Sequence, residues 1–149
     1  MAELITVTIH ELVCELDGYA DQYLRAHHGV SYSQFVFLAA LQERGPIDMT
    51  GLARCLGVTK VAVSKRVPRL VEDGWITQAP ASSRRILLSL TDRAHELVRA
   101  AGGELDAAFT EVFEDPRMVD GALDAASAVT ALNRQLNTLV TIIKEKDPK

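Results

Sequence analysis

Residues 52–66 read Leu52-Ala53-Arg54-Cys55-Leu56-Gly57-Val58-Thr59-Lys60-Val61-Ala62-Val63-Ser64-Lys65-Arg66, and their order is that of two short helices meeting at a glycine turn. Small Ala53 allows the helices to approach closely. Gly57 takes the turn where a Cβ would be strained, and Leu52, Leu56, Val58 and Val63 are the apolar residues expected in the angle between the helices. Polar Thr59, Lys60, Ser64 and Lys65 are left on the outside at the start of the second helix. There the positive end of the helix and its free amides favour phosphate, and side chains can reach base edges. The stretch therefore reads as a helix-turn-helix.

Working outward on the C-terminal side, the second helix is expected to run from about Thr59 to Glu72 and to stop at Gly74. Trp75–Gln78 and Arg85–Leu90 are strand-like runs around the turn-rich Ala79-Pro80-Ala81-Ser82-Ser83, which predicts a hairpin. Paired Arg84-Arg85 on that hairpin suits a narrow minor groove, where negative potential concentrates. A helix-turn-helix followed by a basic hairpin is a winged helix.

The charge distribution agrees with this. The 149-residue chain has a formal net charge of −4, yet residues 54–93 carry eight basic side chains against three acidic ones, a net of +5, and the remainder is −9. Besides Lys60, Lys65, Arg84 and Arg85, this basic centre contains Arg69 on the second helix, which with them forms the predicted DNA-facing set. A solvated charged face is the plainer reading of the same residues. A winged helix that binds protein instead of DNA has no use for arginines clustered on that helix and wing.

On the N-terminal side, Ile5, Ile9, Leu12, Leu16, Tyr19 and Tyr23 step by four and three and form one stripe of a helix ending near Gly29. Ser31 or Ser33 can cap a second helix that runs to about Arg44, ahead of Gly45-Pro46, and Asp48 can cap a third. Thr91 can cap a long helix to about Phe113. Asp115-Pro116 has the order that starts a last helix, whose seam is Ala122, Ala125, Val129, Leu132, Leu136, Leu139 and Ile143. The expected fold is mainly α with a small β-hairpin wing, a single domain over residues 1–149. Residues 31–95 form the winged helix-turn-helix, and 1–29 with 100–149 form dimerisation helices.

Composition excludes several alternatives. With 48% hydrophobic, 24% charged and 5% aromatic residues the chain is globular and biased to helix. Cys14 and Cys55 stand 41 positions apart, without a CxxC pair, so no disulfide framework or thiolate zinc site is indicated. No apolar run approaches a membrane span and no basic leader opens the chain, so a cytoplasmic location is expected. The sequence has no GxSxG, GxxxxGK[ST] or GxGxxG motif, and neither a catalytic residue, a metal site nor a cofactor is expected. His27 and His28 are adjacent and read as a polar helix end; His10 and His95 stand alone.

The segments Leu52-Ala53, Leu56-Gly57-Val58, Val63-Ser64-Lys65, Val67, Arg69-Leu70, Asp73-Gly74-Trp75-Ile76, Arg84 and Leu90-Thr91 resemble the multiple-antibiotic-resistance regulator (MarR) family of bacterial winged-helix repressors. Ser31-Tyr32-Ser33-Gln34-Phe35 is similar to the opening of that family's second helix. The resemblance covers about residues 30–95 by motif, and the whole chain by helix layout. It implies a homodimer on a palindromic double-stranded DNA operator, with Thr59 to Lys65, Val61 and Ala62 included, in the major groove and Arg84 in the minor groove.

The chain departs from the family pattern at three places. Ser82 replaces an Asp that orients the wing arginine, which implies a less fixed Arg84. Pro68 removes a backbone bond to about Ser64, which implies a kink before Arg69. Arg66 stands where the family is apolar.

The resemblance also implies a small, often phenolic effector in the crevice between the dimer helices and the winged domain, drawing on Tyr19, His28, Tyr32, Phe35 and Phe37. Core packing is the plainer reading of each. Some members of the family sense oxidants through an N-terminal-helix cysteine, so oxidation of Cys14 is the rival trigger; otherwise Cys14 and Cys55 read as buried, inert thiols.

Overall fold

The computed structural model describes residues 4–118 and 124–146. They form helices α1 (Ile5–His28), α2 (Tyr32–Arg44), α3 (Met49–Leu56), α4 (Lys60–Glu72), α5 (Asp92–Val112) and α6 (Ala125–Glu145). Three strands accompany them: β1 (Ile47–Asp48), β2 (Ile76–Ser82) and β3 (Arg85–Leu90). The chain divides into two compact units, Met1–Gly102 and Gly103–Lys149. Among the described residues no helix is long and apolar enough to cross a membrane.

The helix ends lie where the capping residues put them. Gly29 closes α1 in the left-handed region at φ 68°. Ser31 Oγ accepts from the Gln34 amide at the start of α2, Asp48 Oδ1 from Gly51 at the start of α3, and Thr59 Oγ1 from Ala62 at the start of α4. Gly57 turns between α3 and α4 at φ 67°. Thr91 Oγ1 accepts from the Ala94 amide and donates to the Gly74 and Trp75 carbonyls, so one side chain starts α5 and ties it to the root of the wing.

The wing differs from expectation in extent. Ala79-Pro80-Ala81-Ser82 continues β2 as strand, with a register irregularity between Pro80 and Ser82, and the turn is only Ser83-Arg84. Pro80 is tolerated because β2 is an edge strand in the antiparallel order β1-β3-β2, with one side free of partners. β1 was not anticipated; it is two residues long, too short to leave a periodic signal, and pairs Ile47 with Leu88 and Asp48 with Leu87.

The core of the first unit is built from Leu24 of α1, Phe37, Leu38 and Leu41 of α2, Leu52 of α3, Val63 and Val67 of α4, and Leu88 of β3, all at most 2% exposed. Val58, expected in the same angle, is 47% exposed. In the second unit, α6 begins one residue after Asp124, whose Oδ1 accepts from the Ser127 amide. It does not begin at Asp115-Pro116, where the Asp115 carboxylate is engaged by the amide and guanidinium of Arg117. Ala122, the expected first residue of the seam, lies outside the described residues.

Leu38 and Val58 give contrasting predictions. Leu38→Ala should destabilise the protein by roughly 2–5 kcal/mol, and Val58→Ala by less than about 0.5 kcal/mol, in chemical denaturation. Equal effects would contradict this packing.

Candidate nucleic-acid interface

The α3–turn–α4 unit presents the first turns of α4 to solvent. Lys60, Val61, Ser64 and Lys65 are exposed and Ala62 is half-buried, while Val63, Val67 and Leu70 face the core. No acidic residue occupies the first turn of α4, where the positive helix end lies. The Thr59 hydroxyl oxygen is committed to the helix cap, although its O–H can still donate outward. α4 runs on through exposed Pro68 to Glu72 as one helix.

The basic residues of the centre separate into two groups. Arg54, Lys60, Lys65 and Arg84 are exposed, and Arg84 sits in the two-residue turn at the tip of the wing. The other four are engaged within the protein. Arg69 Nε donates to Asp73 Oδ2 at 2.9 Å, and Arg85 Nε donates to Asp48 Oδ2 at 3.1 Å. Arg93 Nη1 donates to the Asp73 carbonyl at 2.7 Å, with its guanidinium 3.9 Å from the centre of the Trp75 ring. Arg66 Nη2 donates to the Ser33 carbonyl at 3.1 Å and lies over the Phe37 ring. Arg69 and Arg85, grouped with the DNA-facing residues on sequence, both carry intramolecular ion pairs, although their side chains stay 78% and 59% exposed.

Asp48 connects these parts. Its Oδ1 accepts from the Gly51 amide at 2.8 Å and its Oδ2 from Arg85 of β3, while its backbone forms β1. A Cβ at Gly51 would come within 2.8 Å of the Ile47 side chain, so glycine permits β1 to sit against the first turn of α3. The Gly51 N–H first, and then the positive charges of Arg85 and Lys60, hold the Asp48 carboxyl below its ordinary value of 3.8. The capping role was legible from sequence; the partner 37 residues away was not, because nothing local marks it.

The residues assigned to an effector fall into separate groups. Tyr19 is exposed, its ring 6.3 Å from that of Tyr23, which also lies near His28. Tyr32 and Phe35 are half-buried with ring centres 6.3 Å apart, and the Tyr32 amide donates to Asp21 Oδ1 of α1. Phe37 has no exposed surface: it is a core residue beneath Arg66. Cys14 is exposed, not buried, with Sγ 3.6 Å from Nε2 of His10, and Cys55 is half-buried. Among the described residues no three His, Cys, Asp or Glu side chains gather as a metal site.

A helix-turn-helix backed by a three-stranded antiparallel sheet, with the hairpin extending past it, is a winged helix. The sequence model of the MarR family matches residues 28–86. Among solved structures, the fold is similar to the reduced form of MarR from Escherichia coli (TM-score 0.73, 19% identity, covering 91% of this chain and 98% of that one). It is similar also to RV1404 from Mycobacterium tuberculosis (0.67, 24%, 99% and 100%) and to MepR from Staphylococcus aureus in a DNA complex (0.67, 19%, 93% and 99%). No curated protein sequence matches the chain. Residues 28–86 match the MarR-family model, and the fold of the chain is similar to that of solved MarR structures.

Asp48→Ala should lower the melting temperature at neutral pH. Because the native carboxyl titrates below its unfolded value, its stabilisation is present above about pH 4 and is lost as the pH falls through the lower native value. The gap between parent and variant should therefore narrow below about pH 4 in thermal melts. A gap that stays constant down to the acid transition would show that the ionised carboxylate is not its cause.

Proposed function

We propose that the protein is a transcriptional regulator that binds double-stranded DNA as a homodimer on a palindromic site, with α4 in the major groove and the wing tip in the minor groove. The observation that carries this reading is the outward grouping of Lys60, Val61, Ser64 and Lys65 on α4, together with Arg84 at the wing tip. Thr59 and Ala62 shape the start of the same surface. Arg85 and Arg69 support it from their ion pairs, Arg85 by fixing the wing strand and Arg69 at the far end of α4. That the similar MepR structure is a DNA complex supports the same reading. The function is one of binding, and no catalytic group enters it.

Dimerisation is proposed from the apolar faces that a single chain leaves open. Ile5, Ile9, Leu12 and Tyr19 of α1 are 47–71% exposed, and Leu136, Leu139 and Ile143 of α6 are 45–65% exposed. Such surfaces are costly in water and suit the terminal regions, residues 1–29 and 100–149, for pairing with a second copy. Two-fold pairing would set two α4 helices at half-sites about 34 Å apart.

Repression relieved by a small aromatic effector is the regulatory part of the proposal. Tyr19, His28, Tyr32 and Phe35 along α1 and the start of α2 would supply its contacts, and Phe37, a buried core residue beneath Arg66, drops out of the set. A phenolic acid that releases DNA should do so equally from the parent and from Cys14→Ser. Peroxide-driven release abolished by that substitution would instead place the trigger on the exposed Cys14.

The central test is selection of duplexes from a randomised pool, followed by gel shifts against competitor DNA at several salt concentrations. A palindromic site should emerge. Arg84→Ala and Lys65→Ala should each weaken it, by roughly 1–3 kcal/mol where a base is read, or with a salt slope shallower by about one unit where a phosphate is held. Arg69→Ala should weaken binding less than Lys65→Ala. If the parent enriches no duplex, the winged helix as a protein-binding module is favoured; if both variants match the parent, the reading surface is misplaced.

A further inference from the structure

Arg66 belongs to the basic centre by sequence, but its side chain is turned away from the exposed face of α4. It lies between Lys65, which is exposed, and Val67, which is 2% exposed, and is itself half-buried. Its guanidinium has two partners, both on α2. Nη2 donates to the Ser33 carbonyl at 3.1 Å, and Cζ stands 4.8 Å from the centre of the fully buried Phe37 ring. Partial burial lowers the guanidinium pKa from its ordinary value, but that value lies so far above neutrality that the group stays charged.

The acceptor is unusually well held. Ser33 sits in the first turn of α2, and that turn is fixed from two directions. Ser31 Oγ accepts from the Gln34 amide, and Asp21 Oδ1 of α1 accepts from the Tyr32 amide at 2.9 Å. Asp21 is in turn held by Arg25, whose Nε donates to Oδ2 at 2.7 Å.

The apolar contacts of α4, through Val63, Val67 and Leu70, come from one stripe of short aliphatic side chains, which specify depth better than rotation. A charge-assisted hydrogen bond to a fixed carbonyl and a cation over a fixed ring are both directional. If α4 rolled about its axis, the guanidinium would lose both partners together, the Ser33 carbonyl and the Phe37 ring.

We infer that Arg66 is a positioning residue for DNA reading: it fixes the rotation of α4 against the first turn of α2, so that Lys60, Ser64 and Lys65 face the groove, and it makes no DNA contact itself. The inference rests on α4 being the recognition helix, as proposed above.

The test uses the full chain, the duplex that the parent selects from a randomised pool, and poly(dI-dC) as unselected DNA. Arg66→Leu should remain folded, keep its affinity for poly(dI-dC) within about twofold and keep the parent's salt slope, yet lose about tenfold or more on the selected duplex. Arg66→Lys keeps the charge without the planar fork and should fall in between. A salt slope shallower by about one would show Arg66 holding a phosphate and would overturn the inference.

Equal loss on both DNAs would also overturn it, by reducing Arg66 to a general stabilising role, as would unchanged affinity for the selected duplex. Should Arg66→Leu not fold, the same criteria applied to Arg66→Lys decide. A parent that selects no duplex removes the recognition-helix reading and this inference with it, an outcome distinct from a variant that behaves like a DNA-binding parent.

Discussion

Asp48 accepts one hydrogen bond on each carboxylate oxygen, from the Gly51 amide of α3 and from Arg85 of β3, while its backbone joins the sheet as β1. The candidate interface depends on this residue more than on any single surface charge. A helix-turn-helix and a hairpin that were only neighbours in sequence would have no fixed relation, and a wing hinged only at Trp75 and Thr91 could swing its tip by ångströms. Pairing β1 with β3 and closing the Arg85–Asp48 ion pair ties the wing strand to the first turn of α3, whose buried Leu52 shares the core with Val63 of α4. The wing tip that carries Arg84 is therefore anchored to the helix-turn-helix. The β-sheet of a wing is small, and an isolated hairpin is marginal in water; a third strand, even of two residues, gives it a fixed base.

The segment with a sequence charge of +5 divides its basic side chains between internal partners and solvent. Of its eight basic side chains, Arg66, Arg69, Arg85 and Arg93 are bound to acceptors of the protein itself, and Arg54, Lys60, Lys65 and Arg84 are left to solvent. The four bound side chains are all arginines, whose planar guanidinium can satisfy a carbonyl and a ring, or a carboxylate, whereas lysine is more strongly hydrated. Both lysines of the segment are accordingly on the outer face of α4. Arg93 over Trp75 and Arg66 over Phe37 are the same device used twice, once at the root of the wing and once behind α4.

Local chemistry made most of the fold legible. Asp48 and Thr91 each cap the helix they were expected to cap, Ser31 caps α2 in preference to its alternative Ser33, and Thr59, expected only as the start of α4, caps it, because a cap is decided within three residues. The helix-turn-helix could be read from Gly57 and the apolar spacing around it for the same reason. What failed depended on distant partners or on competition. Ala79–Ser82 has turn-forming composition but becomes strand because β3 supplies a ladder, and Asp115 loses its role as a helix start to Arg117. Val58 is apolar but follows the turn on the outside. Of the candidate site, the outward residues of α4 were legible, since helix start and polar pattern decide them, whereas the place of Arg84 at the wing tip was not, because the turn was expected over Ala79–Ser83. The inward turn of Arg66 was not, because it is set by Ser33, more than thirty residues away.

α1 is divided along its length in a way that bears on how a dimer could be built without loosening the reading head. Its N-terminal residues present Ile5, Ile9 and Leu12 to solvent, whereas Ala20 and Leu24 are buried and Asp21 holds the Tyr32 amide. The helix is anchored at one end and open at the other. A partner copy gripping the open end would bear on the anchored end through a rigid rod of 24 residues, about 36 Å long at the α-helical rise. From Asp21 the contacts continue to the first turn of α2, from its Ser33 carbonyl to Arg66, and so to α4. Each link is a hydrogen bond with a defined direction, not a sliding apolar contact. The seating of α1 on the first turn of α2 and the position of Arg66 on α4 thus share the same few residues, from Asp21 to Ser33.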